Sequence, residues 1–348
     1  MSTSLAKNEG KNAAKNAAEN AAKSSDQNPQ VAAANVSEFA ADVLRGLSQN
    51  KNAKSVSSRW FYDDKGSALF SEIMGLDEYY LTLKETQILS ASAKRIASFL
   101  PQEKLRLVEL GAGDGKKTTI LLRSFVDMQI DFTYTPVDVS PSALEVLCER
   151  VTQSLPGLKC APIVGDNVSV LSKINKRERL MVIFLGSSIG NYNLEEAQSF
   201  FVKMGQLLRP GDFLFTGFDL VKAEARLIPA YSDARGVTAE FNYNLLDRMN
   251  RELGADFNRA RFRHEATFNK STMAMESWLI SQGEQDVFIQ ALEKSFHFED
   301  GEWIRTEVSQ KFKPEQISAF ADTAGFRVIE NFTDDASDFL DALWERQP

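Results

Sequence analysis

Three glycines within five positions, Gly111, Gly113 and Gly115, punctuate the stretch LVELGAGDGKKT (residues 107–118), where an apolar strand runs into a helix start. Glycine lets the backbone take positive φ there and approach a bulky ligand that side chains would hold off. The dinucleotide pattern G-x-G-x-x-G would need its third glycine at position 116, which is Lys116, so a nicotinamide cofactor is disfavoured. Glu109 precedes the turn, and Asp138 ends the next strand, TYTPVDVS. Acids at these places suit the ribose hydroxyls of an adenosine, and the combination reads as S-adenosylmethionine binding. An ordinary strand-to-helix turn is the plainer account of a Gly-rich stretch by itself, and the acid after the second strand speaks against it.

Other candidates fall at strand ends, where ligands of open α/β sheets bind. Asp166 and Asn167, after a third strand, could hydrogen-bond an adenine amino group or belong to a solvated turn. Lys117 could approach the methionine carboxylate of the cofactor or be a solvated residue of the first helical turn. In GSSIGN, the Asn191 amide can donate to a carboxylate and accept from an amine, or simply cap the next helix. On the strand WIRTEVS, period-two alternation puts Arg305, Glu307 and Ser309 on one face, with Thr306 and Val308 opposite. A carboxylate and a hydroxyl two residues apart could bind both nitrogens of a small ring. The alternative is a solvated sheet face with a cross-strand ion pair.

These residues need a scaffold, and the hydrophobic pattern supplies one. Helical spacing starts at Val36 (VSEFAADVLRGL) and recurs in ALFSEIMGL and over 83–100. Strand and helix then alternate: a strand at 105–110, FTYTPVDV, the helix SALEVLCERV, KCAPIVGD, RLMVIFLGSS, the helix LEEAQSFFVKMGQLL and PGDFLFTGFDL. That rhythm predicts a doubly wound parallel sheet. It breaks over 221–309, which reads as an inserted antiparallel α+β lobe. The segment KPEQISAFADTAGFRVIENFTD then returns to the sheet as a helix and a strand. Residues 1–36, rich in Lys, Asn and Ala, are expected to form a disordered or frayed tail.

Forty-three per cent hydrophobic and 25% charged residues over 348 positions describe a globular protein with room for a large core. With 40 basic and 48 acidic residues the net charge is −8, which argues against a nucleic-acid binder and for a small-molecule substrate. No apolar run is long enough for a membrane span or a secretory signal, so a cytoplasmic protein is expected. Cys148 and Cys160 are expected as buried reduced thiols, and with His264 and His297 they lack zinc-site spacing, so no metal is expected.

The segments RWFYDDKGSALFSEIMGLDEYYLT, LVELGAGDGKKT, FLGSSIGN, LVKAEARLIPAYSDARGVTAEFNYNLLDRMNRELGADF and RTEVSQKF, in this order and spacing, resemble the S-adenosylmethionine-dependent L-histidine Nα-methyltransferases of ergothioneine biosynthesis. The likeness runs from about residue 40 to the carboxyl terminus. It implies a class I methyltransferase (Rossmann-like) core, 85–220 with 310–348, and a substrate-binding lobe made of 37–84 and 221–309. Cofactor contacts then fall on Gly111, Lys117, Asp138, Asp166 and Asn167. Carboxylate contacts fall on Asn191 and Tyr231 and imidazole contacts on Glu307 and Ser309, with Tyr79 lining the pocket and Tyr62 near the substrate amine. One position departs: Ser277 stands where histidine methylators carry a methionine. Related fungal enzymes methylate tryptophan-type amines, but an indole has a single N–H and matches a buried carboxylate poorly, so Glu307 favours histidine. A silent cofactor-binding subunit would have no need of Asn191, Tyr231, Glu307 and Ser309 together. A monomer is expected, without nucleic-acid or membrane partners.

Overall fold

The computed structural model describes residues 29–348 apart from 102, 166, 167, 175 and 176, with side chains described from 36 onward. In chain order the elements are α1 (Pro29–Leu47), α2 (Asp64–Ile73), α3 (Tyr80–Ser98), β1 (Leu105–Leu110), α4 (Lys116–Asp127), β2 (Phe132–Asp138), α5 (Pro141–Ser154), β3 (Lys159–Cys160), β4 (Ile163–Val164), β5 (Arg179–Phe184), α6 (Leu194–Leu207), β6 (Phe213–Asp219), α7 (Glu224–Tyr231), α8 (Val237–Leu253), β7 (Phe262–Asn269), β8 (Ala274–Ser281), β9 (Gln285–Ile289), β10 (Lys294–Phe298), β11 (Trp303–Gln310), α9 (Pro314–Thr323), β12 (Phe326–Thr333) and β13 (Phe339–Arg346). Of the expected tail, residues 1–28 lie outside the described residues, and α1 already starts at Pro29, ahead of the Val36 start that spacing suggests.

The central sheet has the order β12-β13-β6-β5-β1-β2-β3, with β4 also on β2. β1, β2, β5 and β6 are mutually parallel, whereas β13 runs antiparallel between β12 and β6. This last strand was not expected from the sequence, and the anticipated third strand is only the two short pieces β3 and β4. Strand alternation divides the core into two layers. Leu105, Leu107, Met181, Ile183, Phe213 and Phe215 pack under α3, α4 and α5, while Val108, Leu110, Val182, Phe184 and Leu214 face α6 and α9. Helix ends are set locally: Ser140 caps α5 ahead of Pro141, and Asn193 with Glu196 forms a capping box on α6.

A third apolar cluster joins Phe39, Val43, Trp60 and Phe61 from the first part of the chain to Phe241, Leu245 and Met249 of α8 and to Leu279 and Ile304 of the sheet β11-β8-β7. Segments nearly two hundred residues apart in sequence thus share one core. Cys148 of α5 and Cys160 of β3 are joined in a disulfide with Cα atoms 6.0 Å apart, and both are half-buried, which corrects the expectation of buried reduced thiols. The cause is the chain reversal between α5 and β3, which returns the strand beside the helix it follows, within disulfide reach.

Candidate active site

The glycine turn behaves as its sequence suggests. Gly111, Gly113 and Gly115 have φ of 64°, 52° and 55°. A Cβ on Gly115 would stand 2.3 Å from the Leu147 Cδ1 of α5, so that glycine serves helix packing, whereas a Cβ on Gly113 would meet nothing within 4 Å. The open face is therefore at Gly113. Asp138 is at the rim of the same turn, accepting from the Gly113 amide at 3.3 Å and the Ser140 amide at 3.1 Å. Val139 and Val164 next to it are 66% and 58% exposed, apolar surfaces suited to a flat heteroaromatic ring. These features fit an adenosine-type cofactor. Asp166 and Asn167 lie outside the described residues.

Glu109 does not take part as expected. It is buried, both oxygens accept hydroxyl hydrogen bonds from Thr118 and Tyr134, and burial pushes its carboxyl up to about 7 against the opposing pull of those bonds and of Lys117. Its side chain points into the sheet, because strand alternation sends the residue two before Gly111 inward. Lys117 is half-buried and ion-paired with Glu85, whose other oxygen accepts the Gly186 amide at 2.7 Å. That pairing ties the glycine turn to the loop after β5.

The loop after β5 in turn meets β11. Gly190 sits so close that a Cβ there would be 3.1 Å from the Gln310 carbonyl oxygen and 3.4 Å from Ser309 Oγ. Asn191 follows it, exposed, in an open groove of about 520 Å³ also lined by Glu307, Gln310, Arg305 and, from α1, Asp42 and Arg45. Ser309 Oγ and the Tyr231 phenol are 2.8 Å apart, and Ser277 donates to Glu307 Oε2 at 3.0 Å. Burial raises the Glu307 carboxyl, with Ser277 and Lys311 working against it.

Aromatic side chains wall this polar strip. Tyr62 contacts Phe70 and Phe241 edge-on at 5.5 and 5.6 Å between ring centres, and Tyr79 meets Phe70 at 6.0 Å. Tyr62 is enclosed by neighbours yet keeps 41% of its surface open. Its phenol is held above the usual range by burial and by the charge of Glu307, and that of Tyr79 is raised by burial and then by Tyr231 and Tyr62. Tyr62, Tyr79, Tyr231, Glu307 and Ser309 are thus gathered in one recess.

Arg305 is on the other face. A β-bulge between Arg305 and Glu307 places Arg305 opposite Trp278 and Glu307 opposite Ser277, so strict alternation fails there. Arg305 pairs with Glu276 at 3.5 Å, while Thr306 turns inward to Asn242 at 2.6 Å. Sequence reasoning also missed a buried ionic group behind the recess, made of Asp219, Lys222, Lys311 and Tyr80. Asp219 ends β6 at the same sheet edge as the glycine turn, and Lys311 extends the alternation Glu307, Ser309; both signals were available.

A glycine turn at the sheet edge that fits an adenosine-type cofactor, together with a polar recess walled by aromatic side chains, defines a small-molecule group-transfer enzyme. Residues 39–346 match the family described as histidine-specific, S-adenosylmethionine-dependent methyltransferases, and the chain belongs to that family. It is 40% identical over 298 residues to the histidine N-alpha-methyltransferases of Mycobacterium tuberculosis and of Mycolicibacterium smegmatis, covering 86% of this chain and 92% of each relative. An L-tryptophan methyltransferase of Psilocybe serbica is 24% identical over 82% of this chain and 86% of its own.

Proposed function

We propose that this protein transfers methyl groups from S-adenosylmethionine to the α-amino nitrogen of free L-histidine, up to the trimethyl betaine hercynine, in ergothioneine biosynthesis. The observation that carries this reading is the pairing of Glu307, braced by Ser277, with Ser309 and Tyr231 in one recess. A carboxylate and a hydroxyl there match a ring with two nitrogens, and a tryptophan-type indole leaves the carboxylate under-used. The same arrangement supports residues 37–84 and 221–309 as the substrate-binding lobe.

The bound cofactor would supply an electrophilic methyl group on a sulfonium, held by Gly111, Lys117 and Asp138, with Asp166 and Asn167 as further contacts. Tyr231 takes the substrate carboxylate, with Asn191 reaching it from the neighbouring groove, Glu307 and Ser309 take the imidazole, and Tyr79 closes the recess. The neutral Tyr62 phenol is the catalytic group: in the first two transfers its oxygen accepts a hydrogen of the neutral amine, which turns the nitrogen lone pair toward where the cofactor would present its methyl, and each alkylammonium formed gives a proton to solvent before the next transfer. Displacement at saturated carbon needs alignment more than a strong base. The faces of Tyr62, Phe70 and Phe241 accommodate the positive charge that develops on nitrogen in each transfer. Incubation with methyl-labelled S-adenosylmethionine and a panel of free amino acids, with products weighed by mass spectrometry, tests this. Mono-, di- and trimethylhistidine are expected, and a preference for tryptophan or an absence of labelled amino acid overturns it.

A further inference from the structure

Lys311 is wholly buried and has three polar partners: the Tyr231 phenol at 2.7 Å, Ser309 Oγ at 2.8 Å and Asp219 Oδ2 at 2.8 Å. An ammonium has three hydrogens and no lone pair, so all of its donors are engaged. Asp219, itself buried, also accepts from the Tyr80 phenol at 2.9 and 2.8 Å and from Lys222. Burial works to raise the Asp219 carboxyl, and the two lysines more than offset it, holding it below the usual range. Asp219 is therefore a fixed anchor for Lys311.

A count of hydrogens gives the consequence. Tyr231 and Ser309 own one hydroxyl hydrogen each, and each oxygen already accepts from Lys311. Their mutual contact at 2.8 Å uses one of the two hydrogens. One remains, and with Lys311 occupying the rear of both oxygens it is left to point into the recess. Behind it, Asp219, Lys222 and Lys311 sum to one positive charge. Asp338 faces Lys222 but also serves Lys84 and Arg226, and Glu307, which feels the field of Lys311 and faces Tyr231 across the recess, is hydrogen-bonded to Ser277. The pair of hydroxyls thus becomes a donor backed by a cation, a site for an anion.

We propose that Lys311 is the positioning residue for the substrate carboxylate, acting through the Tyr231 phenol, to which Ser309 gives its hydrogen, and that it makes the enzyme select free α-amino acids over their amides. This rests on the reading of Tyr231 as a carboxylate contact. The test compares histidine with histidinamide in wild type and Lys311→Met. Loss of a charge-assisted contact should raise the Michaelis constant for histidine about tenfold or more, with kcat and S-adenosylhomocysteine affinity within about threefold. Activity on histidinamide should change little, so the preference for the free acid collapses. Lys311→Arg, which keeps the charge, should restore most of that preference. If Lys311→Met does not fold, Lys311→Gln, which keeps a donor without charge, carries the same comparison. Equal losses on both substrates, or an unchanged preference, overturn the proposal while leaving the parent function intact. A wild type that ignores histidine would refute the parent function, and this proposal with it.

Discussion

Glu307→Gln should make the protein more stable and a worse enzyme. The carboxyl of Glu307 is raised by burial, with one neutral donor, Ser277, and the field of Lys311 in partial compensation. A carboxyl with a higher pKa folded than unfolded binds more protons in the native state, so native stability falls as pH rises through the folded value. An amide of the same shape removes that burden, and the variant should gain stability relative to wild type in urea titrations as pH rises above the usual carboxylate range. Binding moves the other way. Exchange of a charged for a neutral acceptor on the imidazole N–H costs about 1.4 kcal/mol, which raises the Michaelis constant for histidine about tenfold. Affinity for S-adenosylhomocysteine, measured by calorimetry, should be unchanged, since Glu307 is assigned to the substrate ring and not to the cofactor. An unaltered Michaelis constant for histidine refutes the assignment of Glu307 to the ring.

Gly113→Ala should fold, with about 1–2 kcal/mol of strain from its positive φ, and lose at least about tenfold in cofactor affinity, because its Cβ enters open space that the ligand needs. Retained affinity would mean the cofactor lies elsewhere. Glu109→Gln should leave stability near that of wild type at pH 5 and raise it by up to about 3 kcal/mol at pH 8, since the wild-type carboxyl is pushed up to about 7 and must be ionised while buried. A pH-independent difference in denaturant midpoint would contradict that. Tyr62→Phe should lower kcat by about tenfold to a hundredfold and shift products toward monomethylhistidine, the effect of losing one orienting hydrogen bond. An unchanged rate and product distribution would remove Tyr62 from the amine subsite.

Much of this was legible from residue spacing. The glycine turn, the unbroken apolar run of β5 and the strand-helix rhythm gave the sheet, because each is a local property of the chain. The bulge at Arg305 was not legible: register slips depend on the partner strand, and alternation alone put Arg305 with Glu307. Glu109 was misread for a related reason, since its distance from the turn suggested a ligand contact while the pleat sent it inward to Thr118 and Tyr134. The buried group around Asp219 depends on contacts between distant segments, and the disulfide on the path of the short reversal between α5 and β3, which residue spacing does not fix. Tyr62 and Tyr79 carry no local signal beyond apolar burial, and only resemblance singled them out. Lys311 lay in plain view two residues after Ser309, but a lysine in a strand is read by default as solvated.

The central claim is geometric, and a crystal structure of the protein with S-adenosylhomocysteine and histidine measures it directly. The account expects the thioether sulfur beside Gly111–Gly113, the α-amine between that sulfur and Tyr62, the carboxylate at Tyr231 and Asn191, and the imidazole against Glu307 and Ser309. Histidine bound with its ring turned away from Glu307, or outside the aromatic recess altogether, would contradict it.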